Sequence, residues 1–348
     1  MGVMTVNGVV RKEDLGVTTP HEHALIDISL QYYGDRTPGS VGWDAKVAPE
    51  YYDALMANCY ELRDNLILDD RELAIAEVSL FSRAGGKTFV DVTLDGIGRD
   101  VRFLKRLSEE TGMHVVTCCG YYTHDAHPAY LKEMSIEQIA QIMVKELTEG
   151  IDGTGIKAGI IGEIGTSTQI HPEEIRILKA SALAHKMTGA PIMVHLSPWA
   201  QHGIYVINLL EQEGVDPEKI CICHTDILLD VADMKRIMDR GAYLEFDNFG
   251  KEFPIPCEYG RFPTDDERME VFYQLIDAGY AEKMLVSCDI CLKNLLVTHQ
   301  GPGYAHFVTK IADRIRKKYE NGEQILETIL VKNPAQYLDN PQIDSLKF

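Results

Sequence analysis

The stretch IKAGIIGEIGTSTQIHPEEIRILKASALAHKMTGAPIMVHL (156–196) reads as strand, helix, strand. Its ends, IKAGIIGEI (156–164) and PIMVHL (191–196), are near-continuous apolar runs, as strands covered on both faces are. The amphipathic PEEIRILKASALAHKMTG (172–189) lies between them, so the unit is two parallel strands joined through a helix.

The same rhythm extends both ways. Further strands are expected at KTFVDVT (87–93), MHVVTCC (113–119), KICICHT (219–225), AYLEFD (242–247) and KMLVSCD (283–289). Helices are expected at 69–85, 135–150, 230–241 and 265–279. The second of these opens on a capping box, Ser135 with Gln138, runs an apolar stripe through Ile136, Ile139, Met143 and Leu147, and stops at Gly150. Seven β/α units follow, and the segment ending Pro20-His21-Glu22-His23 supplies an eighth, first strand. Eight units make an α/β chain a (β/α)8 TIM barrel, and no linker divides it, so 1–348 reads as one domain. Residues 1–17 form a short N-terminal cover, and 28–68 an insertion after strand one, a Gly/Pro turn region and then a helix. A doubly wound open sheet is the alternative, but no G-x-G-x-x-G follows an early strand.

Charge and composition exclude several function classes. With 34 Lys plus Arg against 53 Asp plus Glu, the formal charge is −19, which repels nucleic acid and anionic membranes alike. Apolar runs break well before the roughly 18 residues of a membrane helix. The N-terminus lacks a secretory pattern, and eight Cys are too few for a disulfide scaffold. A cytoplasmic chain with reduced thiols is expected.

Six residues with metal-ligand chemistry fall at or near the C-terminal ends of these strands, where (β/α)8 barrels keep their active sites: His21, His23, Glu163, His195, His224 and Asp289. His195 follows Glu163 by 32 residues and His224 follows His195 by 29, one β/α unit each. Asp289 stands a further 65 on, about two units, with one strand skipped. His21 and His23, two apart on a strand, share a face and can reach one ion. Read singly, the histidines could be caps or surface residues and Asp289 a helix N-cap. Glu163, among Ile and Gly at a buried strand end, needs a partner or a cation.

These residues carry a family resemblance. TPHEH (19–23), GIIGEIGTS (159–167), VHLS (194–197), CHTD (223–226) and SCDI (287–290) resemble the phosphotriesterase family of the amidohydrolase superfamily, in its phosphotriesterase-related branch. GYY (120–122), KNPAQ (332–336) and the G-x-G-Y-x-H of 301–306 extend the match along nearly the whole chain. The resemblance implies a binuclear site, most often zinc, with Mn2+, Fe2+ or Ni2+ suited to the same cage. It assigns His21, His23 and Asp289 to the more buried ion and His195 and His224 to the more exposed one. The founding enzymes bridge the ions with a carboxylated lysine. Residues 160–165 hold none, and Lys157, six residues before Glu163, lies about 20 Å off along a strand. The bridge is therefore assigned to Glu163.

Two such cations lower the pKa of a shared water and polarise the carbonyl it attacks, with Asp289 as the catalytic proton shuttle. The expected substrate is a lactone or ester, phosphorylated sugar lactones included. The alternative is an N-acyl amide with an anionic tail, with phosphotriester hydrolysis at most a side activity. A catalytically inactive metal-retaining binding protein, or a lyase or isomerase using the same cage, are readings from other classes. Lys251 and Arg261 on the long 248–266 loop, a possible lid, and Lys293 on the loop after strand eight, are candidates for gripping a small anionic substrate. Tyr122, with Tyr121 and Trp199, is a candidate pocket wall. The resemblance also allows a homodimer.

Overall fold

The computed structural model describes residues 2–31, 45–254 and 260–342. The described residues open with a two-stranded antiparallel hairpin, β1 (Val3–Thr5) and β2 (Gly8–Val10). Then β3 (Thr18–Glu22) begins the main sheet. A small pair, β4 (Ile26–Asp27) with β5 (Ile67–Leu68), brackets the insertion and its helix α1 (Tyr52–Ala57). The Gly/Pro turn region expected there lies largely outside the described residues.

From there helix and strand alternate: α2 (Arg71–Arg83), β6 (Thr88–Asp91), α3 (Val101–Thr111), β7 (His114–Cys119), α4 (Ile136–Thr148) and β8 (Ile160–Gly165). They continue as α5 (Pro172–Thr188), β9 (Ile192–His195), α6 (Gly203–Gln212), β10 (Ile220–Ile222), α7 (Val231–Asp239), β11 (Tyr243–Phe246), α8 (Asp265–Asp277) and β12 (Met284–Val286). Three short helices follow among the described residues: α9 (Ala312–Lys318), α10 (Gly322–Glu327) and α11 (Asn333–Leu338).

Strands β3, β6, β7, β8, β9, β10, β11 and β12 form one parallel sheet in chain order, curled so that β12 packs beside β3. This is the (β/α)8 barrel the strand count predicts. The barrel strands are buried throughout, save the first residue of β7, and their Val, Ile, Leu and Cys side chains merge with the helices' inner faces into one core. The capping box of α4 forms as expected from Ser135 and Gln138. Helices α3 and α6 were not anticipated. The strands are shorter than their apolar runs: β10 ends at Ile222 and β12 at Val286, so His224 and Asp289 sit just past the sheet. Asn333 of the KNPAQ motif fastens the lower end of the barrel, donating to the carbonyls of Ala281 and Met284 at 2.7 Å. No helix among the described residues is long and apolar enough to cross a membrane.

Candidate metal centre

Local breaks in regular structure deliver Glu163, His224 and Asp289. In β8 the register to β9 shifts between Ile161 and Ile164. Gly162 takes φ 115° there, and a Cβ on it would stand 2.1 Å from the Met193 carbonyl, so only glycine fits the bulge that presents Glu163. His224 (φ 57°) and Asp289 (φ 44°) are left-handed, a costly conformation for residues with a Cβ, tolerated where the surroundings over-determine it. Asp247 supplies that constraint for His224, accepting its backbone N–H and contacting its Nδ1 at 3.0 Å each.

The six expected ligands converge. One Glu163 oxygen lies 3.5 Å from His23 Nε2; the other lies 3.1 Å from His195 Nδ1, 3.3 Å from His21 Nε2 and 3.6 Å from His224 Nε2. Asp289 Oδ1 is 3.2 Å from His23 Nε2 and 3.8 Å from His21 Nε2. His195 Nδ1 and His224 Nε2 meet at 2.8 Å. All six side chains are buried. Three overlapping triads, His21–His23–Glu163, His21–His224–Asp289 and Glu163–His195–His224, each bring their ligand atoms within 4.8 Å of one another.

A cation fits this donor set. His21 is wholly buried, yet neither ring nitrogen has a hydrogen-bond partner. Orphaned buried polar atoms are rare and costly. The electrostatics call for positive charge. Burial works against the charges of Glu163 and Asp289, but His21 beside the first and Lys251 beside the second outweigh it, and both carboxyls stay well below their usual range. Burial likewise disfavours charged imidazoles, yet Glu163 lifts His21 well above its ordinary value, and Asp247 lifts His224 to about 10.

A second layer orients the ligands. His23 Nδ1 meets Thr93 Oγ1 at 2.8 Å, and Thr93 donates to the Leu25 carbonyl. Tyr304, from the G-x-G-Y-x-H motif, donates its hydroxyl to the His23 carbonyl at 2.7 Å. Asn248 donates to both Asp226 and Asp247, and the fully buried Arg268 pairs with Asp226 and Asp265 and donates to the Lys251 carbonyl. His306 pairs with Asp265 at 2.6 Å. Below His21, Glu245 and Asp247 face its Nδ1 at 3.6 and 3.4 Å, with the Cys223 thiol close by.

The substrate-binding candidates divide. Lys251 is buried and pairs directly with Asp289, and Tyr122 is buried with its hydroxyl 3.4 Å from His195 Nε2. Arg261 lies instead on Glu267 at the start of α8, half exposed, because the Thr264 capping box places that carboxylate beside it. Lys293 is bonded to Asp64 at 2.8 Å and so fastens the insertion to the loop after β12. Trp199 lies against Phe262 with the rings tilted, at 5.8 Å between centroids, and residues 255–259 of the expected lid lie outside the described residues.

The sequence reading missed Asp247, Glu245, Thr93 and Glu22. Asp247 had a signal, since it ends AYLEFD where the other strands carry their ligands, on the strand counted as skipped. Also overlooked was the C-x-x-C spacing of Cys288 and Cys291 around Asp289; both thiols are free, and burial pushes both upward.

A nearly closed parallel barrel with acid and imidazole side chains gathered at its C-terminal mouth defines a (β/α)8 hydrolase with a cluster of potential metal ligands. The chain belongs to the phosphotriesterase family, whose model matches residues 1–338. It is 32% identical to the N-acetyltaurine hydrolase of Xenopus tropicalis over 341 residues, 97% of each chain. A resiniferatoxin-binding protein from Rhodobacter sphaeroides superposes with a TM-score of 0.94 at 36% identity, covering 97% of this chain and 95% of that one. A lactonase from Listeria monocytogenes matches with a TM-score of 0.79 at 26% identity, covering 98% of this chain and 99% of that one.

Proposed function

We propose that this protein hydrolyses N-acyl amides with a short anionic tail, using two divalent ions, zinc by preference, held by His21, His23, Glu163, His195, His224 and Asp289. The observation that carries the metal reading is Glu163, one carboxylate within 3.6 Å of four imidazoles, one of them His21, whose ring nitrogens make no hydrogen bond. Two ions held there would lower the pKa of a shared water and polarise the scissile carbonyl.

The protein's own groups do the rest. Asp289, kept ionised by Lys251, is the base that receives the proton of the attacking water. An amide nitrogen must be protonated to depart, whereas a lactone oxygen leaves more readily. The proton that Asp289 receives is the one a departing nitrogen needs; the Lys251 ammonium beside it, held by Asp289 above its ordinary pKa against the opposing effect of burial, is a fixed positive charge there. Lys251 would also attract an anionic tail, and Tyr122 would bound the carbonyl from the His195 side. The relatives named N-acetyltaurine hydrolase, similar over 97% of the chain, support the amide reading. The Listeria lactonase keeps lactone hydrolysis as the second reading.

The test is protein stripped by chelation, then reloaded with Zn2+ or Mn2+, and offered N-acyl amino sulfonates, N-acyl amino carboxylates and lactones with and without phosphate. Ion-dependent cleavage of anionic N-acyl amides is expected. Full activity in the stripped protein would defeat the metal reading, and turnover of lactones alone would defeat the amide one.

A further inference from the structure

We infer that Glu22, the middle residue of the His-Glu-His run, is a positioning residue that sets Asp289 into the ligand cluster. On β3 its side chain points away from that of His21, so its carboxylate cannot join the cluster. It is completely buried and spans the barrel seam. Oε1 accepts the Cys288 backbone N–H at 2.9 Å and the Thr19 hydroxyl at 2.8 Å, and Oε2 accepts the Ile290 backbone N–H at 2.9 Å. Those two amides flank Asp289.

The contact has two consequences. The parallel ladder runs from β3 round to β12, and among the described residues no ladder joins β12 back to β3, although the two strands touch. The Glu22 carboxylate bonds the amides at that seam. It also holds the N–H groups of the residues before and after one held at φ 44°, so the backbone turn that aims Asp289 at His23 is fastened on both sides. A carboxylate alone can do this, having acceptor lone pairs on both oxygens. A carboxamide has one acceptor and would turn its NH2 against the second N–H.

The inference rests on Asp289 being a metal ligand. Metal-free wild type, E22Q, T19V, D289N and the double variant E22Q/D289N are titrated with Co2+, following its visible absorption and the bound metal per chain. E22Q is expected to hold the ion shared with Asp289 about 10- to 100-fold more weakly, the usual effect of losing a group that orients a ligand, with the other ion unaffected. T19V, which keeps both amide contacts, is expected to bind like wild type. In the D289N background E22Q should add little, because the residue through which it acts is already lost. A merely structural role would weaken both ions and act equally in both backgrounds, and that result overturns the inference, as does wild-type affinity in E22Q. Should E22Q fail to fold, E22D, whose shorter arm cannot reach both amides, is read by the same criteria. Wild type that takes up no Co2+ would defeat the metal reading itself, a failure distinct from any behaviour of Glu22.

Discussion

Asp247 holds His224 twice, meeting the ring at Nδ1 and accepting the backbone N–H, at 3.0 Å each. The pair fixes the ring's direction, since an Nδ1–H committed to Asp247 leaves Nε2 as the ring atom that faces His195 and Glu163. Asp247→Asn offers one acceptor oxygen where His224 alone brings two contacts. The variant is expected to lose about 10- to 100-fold in metal affinity or kcat/KM. Metal content per chain and steady-state kinetics at fixed Zn2+ check it. Unchanged values in both would show that the contact steers nothing.

Lys251 and Asp289 form a buried ion pair beside the cluster. Breaking such a pair from one side leaves an uncompensated charge and costs about 3–5 kcal/mol. Lys251→Met is therefore expected to destabilise the metal-free protein by about that much, and the metal-loaded protein by much less, because bound ions supply the missing charge. Removing a fixed cation should also tighten binding of the first ion. Denaturant titrations with chelator and with Zn2+ measure the difference, and an equal loss in both conditions would contradict it.

What the sequence made legible follows from where the physics is local. Strand–helix alternation, the capping box of Ser135 and the roughly 30-residue spacing of Glu163, His195 and His224 all appear in one dimension, and the structure places all six ligand candidates together. Less legible was everything that depends on a partner far along the chain. Glu22 reaches Cys288 and Ile290 across the barrel seam, and nothing in T-P-H-E-H reports that contact. Arg261 and Lys293 looked like free loop cations, but their carboxylates, Glu267 and Asp64, are chosen by a helix cap and by the insertion. Strand ends were overextended at His224 and Asp289 because both residues leave the sheet through left-handed turns that composition does not announce.

Ligand removal has a thermodynamic signature of its own. If ions bind among Glu163, Asp289 and the imidazoles of the folded state and not to the unfolded chain, they stabilise the fold by mass action. With free Zn2+ at 100 times its dissociation constant, one site contributes about 2.7 kcal/mol. Dialysis against a chelator is expected to lower the Tm, and stoichiometric Zn2+ to restore it. The same experiment on Glu163→Ala should show little dependence on Zn2+; a Tm in that variant that still rises with the ion to the wild-type extent would remove Glu163 from the ligand set.

Glu174, at the start of α5, ties two active-site loops together. Its carboxylate accepts the Ser167 hydroxyl at 2.6 Å and the backbone N–H groups of Ser167, His171 and His124 at 2.9, 2.9 and 3.1 Å. Burial raises its pKa, but these donors outweigh burial and hold it below the ordinary 4.5. A carboxyl depressed in the folded state adds stability that is fully present above its unfolded value and disappears as the pH falls through its folded one. Wild type is therefore expected to be more stable than Glu174→Gln at neutral pH, by a margin constant down to about pH 5 and shrinking below about 4.5. Thermal unfolding of both proteins across that range, in the metal-free state so that ligand protonation acts equally on each, reads the margin. A gap that widened on acidification would mean the carboxyl is bound there as the neutral acid, and the loops are held by something else.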